Sequence, residues 1–239
     1  MSTMTAQIEH ALTLHGVTVC QAYRNALSAL DDESYLPDSR LMLEVNRAML
    51  ARPVVAASRF RRHAAHEASG SRFIAFVAEK HAEGGLQRQL WKHAKDEARH
   101  SRIFTALAAW LAPGAARAPM EKPAGDDGAG DPSSFNGDIA SFLVATHLAE
   151  IRNLALLGQY RSILAAAPGA TNDRLRQVLD RVHADESHHV AYTAAHVSQQ
   201  FEVSPRTSER FEWYVDSYVR DAWAEASIVC GNVACRSRS

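Results

Sequence analysis

The sequence predicts an all-α protein, built as a four-helix bundle with one long crossover and additional N- and C-terminal helices. Apolar residues recur with the helical period along nearly all of the 239 residues, and alternating, strand-like runs are absent from the sequence. Segments rich in glycine and proline interrupt this period and leave four long helical stretches. These observations indicate a single domain over residues 1–239, with its bundle core at about 54–202.

The N-terminal segment, residues 3–50, precedes the bundle and predicts one or two shorter helices. Helical periodicity covers 3–30 and 39–50, and the polar, proline-containing residues 31–38 separate the two stretches. We expect these helices to pack on the outside of the bundle.

The longer helices are bounded by clear start and stop signals. The first begins after Pro53 and ends at the adjacent Gly84 and Gly85, which form a strong break. Residues 113–137 predict the long crossover, because their Gly, Pro, Ala and Asp content buries too little surface to form a helix. The remaining helices are expected at about 86–112, 138–167, 172–201 and, at the C-terminus, 205–229.

Composition disfavours nucleic acid and membranes as partners. A formal net charge of −1 and a pI near 6.9 provide no basic field for an anionic surface. No run approaches the roughly 18 apolar residues that cross a bilayer, and the first residues lack the pattern of a signal peptide. Three cysteines without a CxxC spacing, Cys20, Cys230 and Cys235, fit free thiols in a reducing compartment. We therefore expect a cytoplasmic protein.

One short motif occurs twice and points to a metal site. Asp-Glu-x-x-His places Glu97 with His100 on the second bundle helix and Glu186 with His189 on the fourth. Residues three apart share one face of a helix, so each pair offers one oxygen and one nitrogen ligand to the same ion. A single copy is common by chance on a solvated helix face, whereas two copies in the same context favour metal binding.

Each motif is paired with a glutamate in the middle of the preceding helix. Glu67 and Glu150 lie among apolar residues, where an isolated carboxylate costs several kcal/mol unless a cation binds it. The separations, 30 residues from Glu67 to Glu97 and 36 from Glu150 to Glu186, allow a long helix, a turn and an antiparallel return to equal height. The four helices can therefore present their ligands at one level.

The order Glu, Glu-x-x-His, Glu, Glu-x-x-His resembles the ferritin-like diiron carboxylate superfamily over roughly residues 54–202. The resemblance implies two iron ions per chain, although the ligand types also admit manganese. It implies the outer-shell partners Asp96 and Asp185, which would orient the histidine ligands. The ligands that it implies are Glu67, Glu97 and His100 for one iron, and Glu150, Glu186 and His189 for the other.

Further residues near these ligands are weaker candidates. His93, His147 and His183 lie within one turn of a ligand glutamate, and each is an alternative extra ligand or a packing residue. The glycine next to Ser69 and Ser71 in the first long helix is explained equally by close helix packing and by a gap for substrate. The residues predicted to line a substrate pocket are Gly70, Ser71, Thr146, Asn153 and Leu157.

The resemblance implies an oxygen-dependent enzyme that hydroxylates, desaturates or N-oxygenates a small molecule, with a protein electron donor and a homodimer as candidate partners. Two other functions stay open. Iron storage with ferroxidase activity uses the same ligands, but the extra helices before residue 54 count against a storage cage. A tRNA-modifying hydroxylase is disfavoured by the near-neutral charge, since Arg59, Arg61 and Arg62 form the only obvious basic cluster.

Overall fold

The computed structural model describes residues 4–31, 39–114, 132 and 135–235, and this part of the chain is helical with no strand. The all-α prediction is confirmed. A short 3-10 helix, Ser28–Asp31, follows the second α-helix. The α-helices are α1 Met4–Leu14, α2 Gln21–Leu27, α3 Arg40–Leu50, α4 Pro53–Lys80, α5 Gly84–Leu111, α6 Ile139–Ala166, α7 Ala170–Val203 and α8 Arg206–Cys235.

The chain divides into two compact units. The smaller is Met49–Ile139, which contains α4 and α5, and the larger combines Met1–Ala48 with Ala140–Ser239. The expected single domain stays a prediction. The predicted crossover at 113–137 lies mostly outside the described residues, as do the side chains of Cys230 and Cys235. The remaining cysteine, Cys20, is a free thiol.

The smaller unit is an antiparallel helix pair. Proline occupies the start of α4, where its missing N–H costs no helical hydrogen bond. The turn to α5 lies earlier than predicted, because α4 ends at Lys80 and the glycine pair predicted as the break opens α5 at Gly84. Gly84 has a φ of 58°, a left-handed conformation that glycine adopts without steric cost.

The N-terminal part of the larger unit is broken more often than the apolar period indicates. Helix α1 ends where Gly16 adopts a φ of 65°, and the Val17 N–H closes the turn on the Leu12 carbonyl at 2.9 Å. The stretch 3–30 therefore holds two α-helices and a 3-10 helix. A residue with a side chain would be strained in this conformation, so the glycine at position 16 allows the helix to end here.

Helix α6 is the apolar centre of the larger unit. By length and composition alone it could cross a membrane, yet 56% of its most apolar window is buried inside the protein. Helix α8 docks on α6, since the Tyr218 hydroxyl donates to the Ala145 carbonyl at 2.9 Å and the Arg152 guanidinium lies over the Tyr218 ring.

Candidate metal ligands

Two serine hydroxyls hold α4 and α5 in register. Ser71 donates to the carbonyl of Ala94, and Ser101 donates to the carbonyl of Ala64, both at 2.7 Å. Both ends of each bond lie about one helical turn from the predicted ligand glutamate of their own helix. The two bonds therefore flank the level at which the ligand glutamates of α4 and α5 meet.

A buried group of donors lies between these two bonds. Glu67, Glu97 and His100 each offer one ligand atom, and these atoms lie within 4.8 Å of one another. The His100 Nδ1 atom is 3.7 Å from Glu97 Oε1. All three side chains are buried, the most accessible being Glu67 at 7% exposure. The three ligands predicted for this helix pair thus come together in the smaller unit.

His93 and Asp96 border this group. His93 is fully buried, and its Nε2 atom lies 3.1 Å from Glu97 Oε1, so it shares the face of Glu97 as its four-residue offset predicts. Asp96 is buried and forms an ion pair with the Arg99 guanidinium at 2.9 Å. His93 therefore lies where an extra nitrogen ligand would, and its coordination stays a prediction.

Two side-chain links hold α6 and α7 in register. The His147 Nδ1 atom bonds to the Thr193 hydroxyl at 2.8 Å, and Arg161 Nε donates to Asp180 Oδ1 at 2.5 Å. The residue numbers of the two pairs add to nearly the same value, as in an antiparallel helix pair. Glu150 and His189 add to a similar value, so they too meet at one level between the links.

The second group of donors is centred on His189. Its Nδ1 atom lies 3.3 Å from Glu186 Oε2 and 3.7 Å from Glu150 Oε2. All three side chains are buried, with Glu186 and His189 at 1% exposure or less. Both Glu-x-x-His motifs therefore present the Nδ1 atom of the histidine to the glutamate three residues earlier.

His147 has a structural role that the sequence did not reveal. Tyr23 of α2 approaches its Nε2 atom at 2.7 Å, while Thr193 approaches Nδ1. The Thr193 hydroxyl donates to the His189 carbonyl at 2.6 Å, so it accepts from His147 Nδ1–H, and the Tyr23 hydroxyl donates to Nε2. Both ring nitrogens are occupied, which leaves none for a metal and corrects the extra-ligand alternative for this residue.

Burial keeps both members of this network neutral. It lowers the pKa of His147 from 6.5 to about 3, against a smaller opposing effect of the Glu150 carboxylate. It raises the pKa of Tyr23 well above 10.0, with a further increase from the charge of Glu9. A neutral phenol donating to a neutral imidazole agrees with the hydrogen-bond directions.

The donor chemistry of both groups fits a divalent metal ion. Ligand atoms that bind one ion at about 2.1 Å lie roughly 3 to 4 Å from each other, which matches the separations of 3.3 to 3.7 Å within the two groups. Carboxylate oxygen with imidazole nitrogen suits iron, manganese or zinc. Each unit therefore contains buried His and Glu side chains that could bind a metal.

The other predicted residues are spread over both units. His183 and Asp185 of α7 are half-buried, and His183 lines a cavity. Thr146 and Leu157 are buried and Asn153 is half-buried. A Cβ atom at Gly70 would meet nothing within 4 Å, so close helix packing does not explain this glycine. The substrate pocket assigned to Gly70, Ser71, Thr146, Asn153 and Leu157 stays a prediction.

Sequence reasoning missed the residues that fix the register. Ser101 and Thr193 carry no motif, and only their helical offsets from the ligands connect them with the site, whereas Tyr23 lies on α2, which carries no predicted ligand. Ser101 lies four residues after Glu97, and Thr193 lies four after His189, which is the spacing that places both one turn away.

Comparison of the chain with models of known protein families, with curated proteins and with solved structures gave no match.

Proposed function

We propose that the chain is a non-haem diiron enzyme, which binds two iron ions through the six buried ligands and uses them to activate dioxygen for the oxidation of a small molecule. One observation carries this proposal: the same set of donors, a mid-helix glutamate with a Glu-x-x-His pair, is buried in both helix pairs. A chance pattern on solvated helix faces would leave these side chains exposed, because unpaired charges are seldom buried.

The proposed architecture is a ferritin-like bundle in which the two groups supply one dinuclear centre. Four carboxylates and two imidazoles form a hard, oxygen-rich ligand set, which suits ferrous iron and leaves coordination positions for dioxygen. Bound iron would supply the redox chemistry. Insertion of one oxygen atom into a C–H or N–H bond, with reduction of the other to water, requires two electrons and two protons, so the proposal includes an electron donor, which we expect to be a protein.

The test begins with iron content and magnetic coupling. Protein loaded anaerobically with ferrous iron should bind about two ions per chain, as a dinuclear bundle site requires. After oxidation, two ferric ions that share a bridging ligand couple antiferromagnetically and give no ferric EPR signal. Two separate ions each give a signal. Two uncoupled ions would refute the shared centre, and the absence of stoichiometric metal would refute the whole proposal.

Oxygen consumption then separates oxidation of a substrate from iron storage. An oxygenase consumes dioxygen catalytically only with reductant and substrate, whereas a storage protein takes up iron far beyond two ions per chain and elutes as a large shell. A tRNA hydroxylase would show substrate-dependent consumption with tRNA and none with small molecules. Manganese reconstitution serves as a control, because the same ligands would hold it.

A further inference from the structure

A cavity of about 310 Å³ lies in the larger unit, where helices α1, α3, α6 and α7 contribute to one lining. This volume is at the lower end of the range of small-molecule pockets, about 300 to 1,000 Å³. None of the six principal metal ligands and none of the predicted substrate-pocket residues lines it, whereas His183, an alternative extra ligand, does. The side chains that carry its chemistry are Gln7, His10, Leu43, Leu154, Arg161 and His183.

Arg161 gives the cavity its charge. It is the only permanently charged residue of the lining within the described chain, and no carboxylate lines the cavity there. Its Nε atom is bonded to Asp180, whereas its two terminal amino groups make no hydrogen bond within the described part of the chain. A guanidinium with a free pair of donors binds a carboxylate in preference to neutral groups.

His183 adds a neutral donor beside this cation. Burial lowers its pKa from 6.5 to about 4, and the charges of Arg161 and of His10 lower it further, while Asp180 acts in the opposite direction. The ring makes no hydrogen bond to any described residue. His183 therefore experiences a net positive environment, which is favourable for an anion.

The remaining lining is partly apolar. Leu43 of α3 and Leu154 of α6 line the same space, so a ligand with a compact hydrocarbon body can bury it there. Gly158, in the middle of α6, also belongs to the lining, and a Cβ atom added to it would lie 3.0 Å from the Gln7 side-chain oxygen. Glycine at this position keeps the space open.

We propose that this cavity binds a small organic carboxylate, with its carboxylate on Arg161 and His183 and its apolar body against Leu43 and Leu154. The proposal does not depend on bound metal or on oxygenase activity, so it is tested on the metal-free full chain. Benzoate is the first probe, and benzamide, which has the same shape without the charge, is its matched comparison.

Calorimetric titration and histidine NMR measure the binding. Benzoate should bind saturably and shift the resonances of His183, and benzamide should bind at least tenfold more weakly. The substitution Arg161→Gln should weaken the binding of benzoate by a similar factor. Its ion pair with Asp180 is 36% exposed on both sides, so its removal should leave the fold intact. The control Arg176→Gln, on α7 outside the lining, should leave the affinity unchanged.

A second variant tests the cavity independently of its charge. Gly158→Leu should fill the space and abolish binding while circular dichroism stays that of the wild type; if this variant does not fold, the charge comparison alone decides. Equal affinity for benzoate and benzamide would overturn the proposal. So would unchanged affinity in Arg161→Gln, or no saturable binding of benzoate, hexanoate or acetate up to about 10 mM.

Discussion

The α4–α5 pair and the α6–α7 pair carry the same donors but are held in register by different chemistry. In α4–α5, the hydroxyls of Ser71 and Ser101 donate to main-chain carbonyls. In α6–α7, the imidazole of His147 bonds to the Thr193 hydroxyl, and the guanidinium of Arg161 bonds to Asp180. Hydroxyls and carbonyls keep one protonation state at all ordinary pH values, whereas an imidazole does not.

This difference shows which features belong to the Glu-x-x-His motif itself and which come from the residues around it. The Glu-x-x-His geometry is alike in both pairs, with Nδ1 facing the glutamate at 3.7 Å in one and 3.3 Å in the other. The supporting residues are unlike, because α6–α7 also receives Tyr23 from α2. We expect equal sensitivity of the two pairs to loss of a ligand and unequal sensitivity to pH.

The largest effect should follow from removal of one ligand in either pair. Glu97→Ala and Glu186→Ala should each lower iron affinity by more than the roughly 10- to 100-fold that loss of an outer-shell partner costs. The folded apoprotein should persist, because each variant removes a buried carboxylate. Iron content after dialysis and circular dichroism measure the two properties.

The controls for these variants are exposed glutamates on the same two units. Glu79→Ala on α4 and Glu202→Ala on α7 lie outside the donor groups and should keep full iron content. If the two ligand variants differ, so that one retains iron and the other does not, the two pairs are not equivalent. Full iron content in Glu186→Ala would remove the ligand assignment for α7.

The next effect concerns His147 and distinguishes the pairs by pH. Its folded pKa of about 3 lies below the ordinary 6.5, so between these values the unfolded chain binds more protons than the folded protein. Stability is therefore fully present above pH 6.5 and falls as the pH drops toward 3. His183, with a pKa of about 4, acts in the same direction.

His147→Leu should lower the free energy of unfolding of the apoprotein by about 2 to 3 kcal/mol at pH 8, because the buried Tyr23 hydroxyl loses its acceptor. At pH 5 the difference from wild type should shrink, since only wild type loses stability through this histidine. Urea unfolding at both pH values measures it. His147→Gln, which keeps a donor and an acceptor, is the matched control, and a difference independent of pH would contradict the neutral buried imidazole.

Much of this site could be predicted because its chemistry is periodic. Glu67 is a ligand candidate from its apolar neighbours and Glu97 from the repeated Glu-x-x-His motif, and the structure buries both and brings them together. The helical secondary structure could be predicted equally well, because amphipathic periodicity depends on the local sequence.

The features that could not be predicted depend on contacts between residues that are far apart in the sequence. The break at Gly16 arises from one left-handed residue inside an unbroken apolar period, and the occupancy of both His147 nitrogens arises from Tyr23 and Thr193, 124 and 46 positions away. Neither has a local signal. Tertiary hydrogen bonds of this kind decide whether a histidine near a ligand is a ligand itself or a support.

A smaller effect is expected from the serine links of α4–α5. Ser71→Ala and Ser101→Ala should each lower the free energy of unfolding by about 1 kcal/mol, the usual contribution of one hydrogen bond. The loss should be the same at pH 5 and pH 8, in contrast to His147. Thr105→Ala, whose hydroxyl bonds to a carbonyl of its own helix, is the control. A pH-dependent loss in the serine variants would remove the distinction between the pairs.

The smallest effects compare the mid-helix glycines of α4 and α6. A Cβ at Gly70 meets nothing within 4 Å, so Gly70→Ala should stabilise the protein by up to about 1 kcal/mol through helix propensity. Gly158→Ala should gain less, because the new methyl group must displace the Gln7 amide. Urea unfolding measures both. A stabilised Gly70→Ala with slower substrate oxidation would show that the gap beside Glu67 serves the substrate, whereas unchanged turnover would leave Gly70 without a part in the reaction.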